Sequence, residues 1–187
     1  MRIGQGLATG CIDIFVRQWF EVKSSKISYE TRDTDETKHI SKKWFPYNKG
    51  GEFRRWYGNN DYVVNWENDG YEIRHFTDAK GKLRSRPQNT QYYFKHCISW
   101  SLISSGRVAF RYKPQGHIFD VSGMSCFTEK NLFYLLALCN SPVVDAFLAV
   151  FSPTINFQAG DIANIPVAID NDQVAPVENV VKENIGL

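Results

Sequence analysis

Arg84, Arg86, Gln88 and Asn89 fall within one short segment and are side-chain types that recognise nucleic acid. An arginine presents a planar fork that fits phosphate oxygens or the N7/O6 edge of guanine. The amides of glutamine and asparagine present a donor beside an acceptor, which fits adenine. Their segment, Asp78 to Asn89, contains Gly81 and Pro87 and reads as a basic loop. A second group is Arg54 and Arg55 beside Trp56 and Tyr57. These arginines either grip phosphates and stack, or pair with Glu52 and Glu67. Lys49, Lys82 and Lys95 complete the candidate set.

The charge distribution supports this grouping. The net charge of +2 hides three unequal regions. Residues 1–78 carry 12 basic and 12 acidic side chains. Residues 79–119 carry eight basic side chains (Lys80, Lys82, Arg84, Arg86, Lys95, Arg107, Arg111, Lys113) and no acid. Residues 120–187 carry two basic and eight acidic. An acid-free stretch of this length is either the footprint of a polyanion or a solvated basic face paired with the acidic C-terminal third. Charge alone does not choose between them.

Other chemistries find little support. Cys11, Cys97, Cys126 and Cys139 form no C-x-x-C pair, and His39, His75, His96 and His117 are scattered, which argues against a structural zinc site. The thiols read as reduced and mainly buried, in a cytoplasmic protein. Asp33, Asp35 and Glu36 cluster in a polar stretch where solvation is the expected state. Gly81-Lys82 is followed by Leu83, so it is not a phosphate-binding loop, and no G-x-S-x-G elbow occurs. No Pro-Pro pair exists, so the Asn/Asp-Pro-Pro-aromatic loop of an amino-methyltransferase is missing, and Gly4-Gln5-Gly6 with Gly10 follows no strand. No self-contained active site emerges.

The elements that must position these residues are short. Ile12 to Val22 mixes β-branched and aromatic residues and predicts a strand. Ser28 to Ser41 predicts an exposed loop. Trp44 to Trp66, broken by Pro46, Gly50, Gly51, Gly58, Asn59 and Asn60, predicts short strands joined by turns, closed by a turn at Asn68-Asp69-Gly70. Cys97 to Ile103 and Val108 to Tyr112 predict paired strands around Ser104-Ser105-Gly106, with a further strand at Ile118 to Val121. Thr128 is the expected N-cap of a helix through Leu132, Leu135, Leu136 and Cys139. Ser141-Pro142 predicts a break and a second helix to about Phe151. Pro176 to Ile185 predicts an amphipathic helix. The class is α+β, a strand-rich body followed by paired helices. Trp44, Phe45, Phe53, Trp66 and Phe110 are expected in the core. The chain has 187 residues, 43% of them hydrophobic and 22% charged, a globular composition. No apolar run reaches the roughly 18 residues of a membrane span, and Met1 to Gly10 lacks the apolar core of a signal peptide.

The aromatic block carries a family resemblance. Lys43-Trp44-Phe45-Pro46-Tyr47-Asn48-Lys49-Gly50-Gly51 runs into Glu52-Phe53-Arg54-Arg55-Trp56-Tyr57-Gly58-Asn59-Asn60. Val63-Val64-Asn65-Trp66, Gly70-Tyr71-Glu72-Ile73-Arg74 and Arg84-Ser85-Arg86-Pro87-Gln88-Asn89-Thr90 follow. Together they resemble the C-terminal region of bacterial adenine-specific DNA methyltransferases of the BREX phage-exclusion type (PglX-like), themselves similar to single-chain methyltransferases of restriction-modification systems. Gly6-Leu7-Ala8-Thr9-Gly10 resembles the entry into that region. Asn140 to Val143 and Pro153 to Val167 resemble its end, and also the close of target-recognition domains in type I specificity subunits. The resemblance covers roughly residues 4 to 185. It departs at Cys11, Ile12 and Ile14, where the family usually has polar residues, although Asp13 and Phe15 are kept.

The resemblance implies a DNA target-recognition domain over 1–170 and a truncated C-terminal helical extension over 171–187. It implies that the catalytic domain lies upstream, outside this chain, which would then be an excised piece or a gene remnant. The chain itself would be inactive and hold no cofactor, whereas the parent enzyme would use S-adenosyl-L-methionine. The implied partners are double-stranded DNA and the upstream methyltransferase domain, with no membrane. The alternative is a protein-interaction module that docks other defence-system subunits.

Overall fold

The computed structural model describes residues 1–187. Its eight strands are β1 (Arg2–Gly4), β2 (Val16–Gln18), β3 (Trp44–Asn48), β4 (Tyr62–Asn65), β5 (Cys97–Ser99), β6 (Arg111–Lys113), β7 (Ile118–Phe119) and β8 (Ser125–Phe127). Its six helices are α1 (Ile12–Phe15), α2 (Glu67–Arg74, interrupted by the left-handed turn Asn68-Asp69-Gly70), α3 (Leu132–Cys139), α4 (Pro142–Phe151), α5 (Ala159–Ala163) and α6 (Asn171–Ile185). The fold is α+β. One four-stranded sheet has the order β2-β4-β3-β7, with the β3–β7 pair parallel. The other has the order β1-β8-β5-β6 and is antiparallel throughout.

The second sheet separates two hydrophobic cores, and the two-residue period of its strands explains how. On β5, Cys97 joins the first core and Ile98 the second; on β8, Phe127 joins the first and Cys126 the second. The first core is aromatic: Phe45, Tyr47, Trp66, Tyr93 and Phe94 are all essentially inaccessible. The second is roofed by helices through Leu135, Leu136, Val144, Leu148, Ile162 and Val181. α3 and α4 are bent by 66° at Asn140-Ser141. Pro142 begins α4 where its missing N–H is harmless, and Val144 N–H donates to Ser141 Oγ at 3.4 Å. Asn140 holds the corner: its amide donates to Phe110 O at 2.9 Å and accepts from Phe110 N–H at 3.1 Å. No single helix is long and apolar enough to cross a membrane.

Several expectations need correction. Ile12 to Val22 is not one strand. Gly10, at φ +78°, lets the chain turn against the Arg84 backbone, Ile12–Phe15 make one helical turn, and only Val16–Gln18 pair with β4. Gln18 N–H then donates to Glu21 Oε2 at 2.6 Å, which favours a tight turn over further strand. Thr128 is not the cap of α3. Asn131 is, in a left-handed conformation, while Thr128 bonds locally to Lys130. The stretch 28–41 is not all exposed loop, since Thr31 and Thr37 are buried. Phe53 is exposed rather than core, with the Arg55 guanidinium 5.6 Å from its ring. The C-terminal helix begins at Asn171, capped by Asp170, and runs through Pro176.

Candidate nucleic-acid interface

The segment Arg84–Asn89 is not a solvated loop. It lies antiparallel to Gln5–Gly10 around one backbone-bonded pair, Ala8 with Arg86. Ala8 N–H donates to Arg86 O at 3.1 Å, and Arg86 N–H donates back to Ala8 O at 2.8 Å. Gln88 Nε2 donates to Gly6 O at 3.3 Å, and Asn89 Nδ2 donates to Gln5 O at 3.0 Å. Gly10 packs on the Arg84 backbone. The opposing pairs are therefore 5 with 89, 6 with 88, 8 with 86 and 10 with 84. On its other side the N-terminal segment joins β7: Leu7 N–H donates to Phe119 O at 2.8 Å and Gly6 N–H to Asp120 O at 3.2 Å. Gly6 is required here, because a Cβ would stand 1.9 Å from Phe119 O. The arginine segment thus lies beside an irregular continuation of the first sheet, with Arg84 N–H donating to Phe76 O at 2.9 Å on its other side.

This extended backbone sorts the side chains by the two-residue strand period. Ser85 points inward, is buried, and donates to Ile73 O. Arg84 and Arg86 both point outward and are exposed. The Arg84 guanidinium lies 5.2 Å from the Phe76 ring, which restrains its stem and leaves its donors toward solvent. Lys82 is exposed on the adjoining turn, whose backbone is tied to the Asp78 carboxylate. In this conformation one amide N–H of Gln88 and one of Asn89 are bonded to the main chain, which leaves each side chain its carbonyl oxygen and its second N–H.

The remaining candidates divide. Arg55 does not pair with Glu52 or Glu67. It meets Asp145 of α4 at 3.3 Å, where Arg107 converges on the same oxygen at 3.5 Å. Arg54 is exposed, its stem lying over Gly58. Lys49 sits 4.8 Å over the Tyr62 ring. Lys95 is exposed, with its ammonium 5.9 Å from the Tyr92 ring.

The acid-free stretch does not form a single basic face, because Arg111 and Lys113 are fully buried. Lys113 Nζ donates to Gly58 O and Asn59 O at 2.7 Å and to Asn60 Oδ1 at 2.6 Å, pinning the loop after Tyr57. Arg111 donates to Ser101 Oγ at 2.8 Å, and that hydroxyl donates to Gly51 O at 2.8 Å. Burial lowers Arg111 to about 10 and, with Arg111 adjacent, lowers Lys113 to about 7. The outward cations of the stretch are Lys80, Lys82, Arg84, Arg86, Lys95 and Arg107, the last sharing the Asp145 carboxylate with Arg55.

Nucleophilic chemistry is not favoured at the cysteines. All four are unpaired thiols, and burial pushes Cys97 up to about 11 and Cys126 and Cys139 up to about 12. Tyr47 and Asp120 share a buried hydrogen bond of 2.7 Å, and burial raises both, which suits a structural tie between β3 and β7. Sequence reasoning missed Arg2, Arg32 and Lys130, which the fold brings beside Lys95 from distant parts of the chain. No local spacing could have found them.

This arrangement, an ordered cationic segment without a nucleophile or metal cluster, occurs in a chain that is similar to a short part of adenine-specific methyltransferases. It is 43% identical over 167 residues to the adenine-specific methyltransferase PglX of Lacticaseibacillus casei (strain Zhang), a match covering 88% of this chain and 14% of that protein. It is 35% identical over 175 residues to the adenine-specific methyltransferase BrxX of Escherichia coli O9:H4 (strain HS), covering 91% of this chain and 13% of that protein. The chain therefore spans only a small part of the length of these curated relatives. No family model matches it.

Proposed function

We propose that this chain is the DNA target-recognition part of a site-specific adenine-N6 methyltransferase of a BREX-type phage-defence system. The observation that carries the reading is the Arg84–Asn89 segment, ordered against Gln5–Gly10, within a chain nearly all of which matches adenine-specific methyltransferases. In this reading Arg84 and Arg86 seat the strand on the phosphates of duplex DNA, and such contacts fix register and orientation. A methyltransferase domain elsewhere in the parent chain binds S-adenosyl-L-methionine and acts on an adenine flipped from the stack. The recognition part contributes position and sequence choice.

A specific observation supports a protein contact alongside DNA. Ile12, Ile14, Trp19 and Phe20 are 50%, 49%, 51% and 64% exposed. They gather on the α1 turn and the turn after β2, where an apolar surface fits packing against the methyltransferase domain. A gel shift with duplex DNA at low salt tests the main reading. A retarded complex that dissolves as salt rises is expected. A folded sample that shifts no duplex favours the docking module instead.

A further inference from the structure

Lys95 stands on the rim of a cavity of about 890 Å³, within the size range of small-ligand sites. Three other cations reach it: Arg2 from β1, Arg32, and Lys130 just ahead of α3. His96 lines it as well, and Glu129 is the one carboxylate in the lining. None of these four cations makes an ion pair, whereas six other basic residues of the chain do. Gathering four like charges around a single carboxylate costs free energy unless an anion or water screens them.

The floor is aromatic. Tyr92 stacks on Phe127 with ring centroids 4.8 Å apart and planes at 21°. Phe94, which also lines the cavity, has φ +67°, a strained value for a bulky residue. It is held there by Phe94 N–H donating to His117 O at 2.8 Å and Gly116 N–H donating to Phe94 O at 2.9 Å. Strain of this kind is kept where surrounding structure enforces it, and here it carries the chain from the aromatic floor to Lys95 on the rim. A smaller cavity of about 390 Å³ shares Arg2, Tyr92 and Phe127 with the first and reaches Asn89. The two cavities therefore share part of one wall.

We propose that this cavity holds one nucleotide, its base against the Tyr92 ring and its phosphate among Arg2, Arg32, Lys95 and Lys130. Cations around an aromatic face match the two halves of a nucleotide, charge-assisted hydrogen bonds for the phosphate and stacking for the base. The nucleotide comes either from an unpaired stretch or end of a DNA strand crossing the Arg84–Asn89 segment, or from a free nucleotide. The proposal deepens the DNA reading and rests on it only for the first source.

The test uses the whole chain with three probes: a short single-stranded oligodeoxynucleotide carrying one 2-aminopurine, the blunt duplex of the same sequence, and dAMP. The variants are Tyr92→Leu and the exposed pair Lys95→Glu with Lys130→Glu, each checked for folding by circular dichroism. The oligonucleotide is expected to bind with quenched 2-aminopurine fluorescence. Tyr92→Leu should abolish the quenching and weaken binding about tenfold, the scale of one lost base–aromatic stack. The charge-reversed pair should weaken it further, while Tyr92→Leu should leave the duplex little affected. Competition by dAMP identifies the free-nucleotide source; binding by the oligonucleotide alone identifies the strand. Wild-type protein that neither quenches 2-aminopurine nor binds dAMP overturns the proposal, as do unchanged affinities in the charge-reversed pair. Tyr92-dependent binding of oligonucleotide or dAMP without duplex binding would keep the cavity assignment and remove the duplex reading.

Discussion

Replacing Arg84 and Arg86 together by glutamine removes two outward cations from a strand whose backbone is already hydrogen-bonded. The substitution keeps the aliphatic stems, so the fold should be little disturbed. The main loss within the protein is the Arg84–Phe76 contact, worth about 0.5–1 kcal/mol at an exposed site. Thermal unfolding should therefore shift by a few degrees at most. DNA binding should respond differently. Each phosphate neutralised contributes about 0.9 to the slope of log affinity against log salt, so two lost contacts flatten the slope by about 1.8. Between about 50 and 200 mM salt, that amounts to a roughly tenfold smaller fall in affinity. Because the strand is ordered before DNA arrives, little conformational entropy is lost on binding and the deficit should appear mainly as this electrostatic change. The assay is fluorescence anisotropy of a labelled duplex across a salt series, for wild type and variant. Unchanged slope and affinity would show that this segment meets solvent or protein. A loss confined to the methylated target sequence, with non-specific binding intact, would mean that an arginine reads a base edge.

Three further outcomes are expected. Gly6→Ala should destabilise the protein by about 2–4 kcal/mol, because its Cβ would collide with Phe119 O at the junction of β7 and the Gln5–Gly10 segment, and duplex binding should fall with it; chemical denaturation measures the first effect and anisotropy the second. Burial and the nearby Lys113 ammonium hold His117 down to about 3, so below pH 6.5 the unfolded chain takes up a proton that the folded chain refuses. Stability should accordingly fall as the pH drops from about 6.5 toward 3, and His117→Asn should blunt that decline in urea titrations run across the pH range. The purified chain should transfer no labelled methyl group from S-adenosyl-L-methionine to duplex DNA, and incorporation above a boiled control would sink that expectation.

What the sequence made legible was local. The break at Asn140-Ser141-Pro142 follows from one imide that cannot donate, and α4 ends at Phe151 as its pattern implies. The Asn68-Asp69-Gly70 turn follows from residue types, and all three turn residues adopt positive φ; the β5–β6 pair forms, but over Cys97–Ser99 and Arg111–Lys113 only rather than Cys97–Ile103 and Val108–Tyr112. Where local signals competed, the reading failed. Ile12 to Val22 has strand-forming side chains, but a glycine turn on one side and a Gln18–Glu21 hydrogen bond on the other shorten the strand to three residues.

Charge was the least legible property, for a physical reason. A run of basic residues states how many cations the chain has, and burial then decides which of them face outward. Arg111 and Lys113 alternate with Tyr112 on β6, and that face of the strand meets backbone carbonyls and Ser101 rather than water. Their ammonium and guanidinium groups thereby become ties for the loops that follow Gly50 and Tyr57. Arg55 and Arg107 are drawn to one carboxylate on α4, a residue distant from both in sequence. In exchange the fold assembles cations that no linear window contains: Arg2, Arg32, Lys95 and Lys130 line one cavity, Arg2 and Lys130 because β1 pairs with β8 and places the N-terminal strand beside the start of α3. The cationic surface is therefore set by strand pairing and burial more than by composition. A smaller cavity lined by Asn89, Arg2 and Tyr92 lies between its two parts, the Arg84–Arg86 segment and the Lys95 cavity.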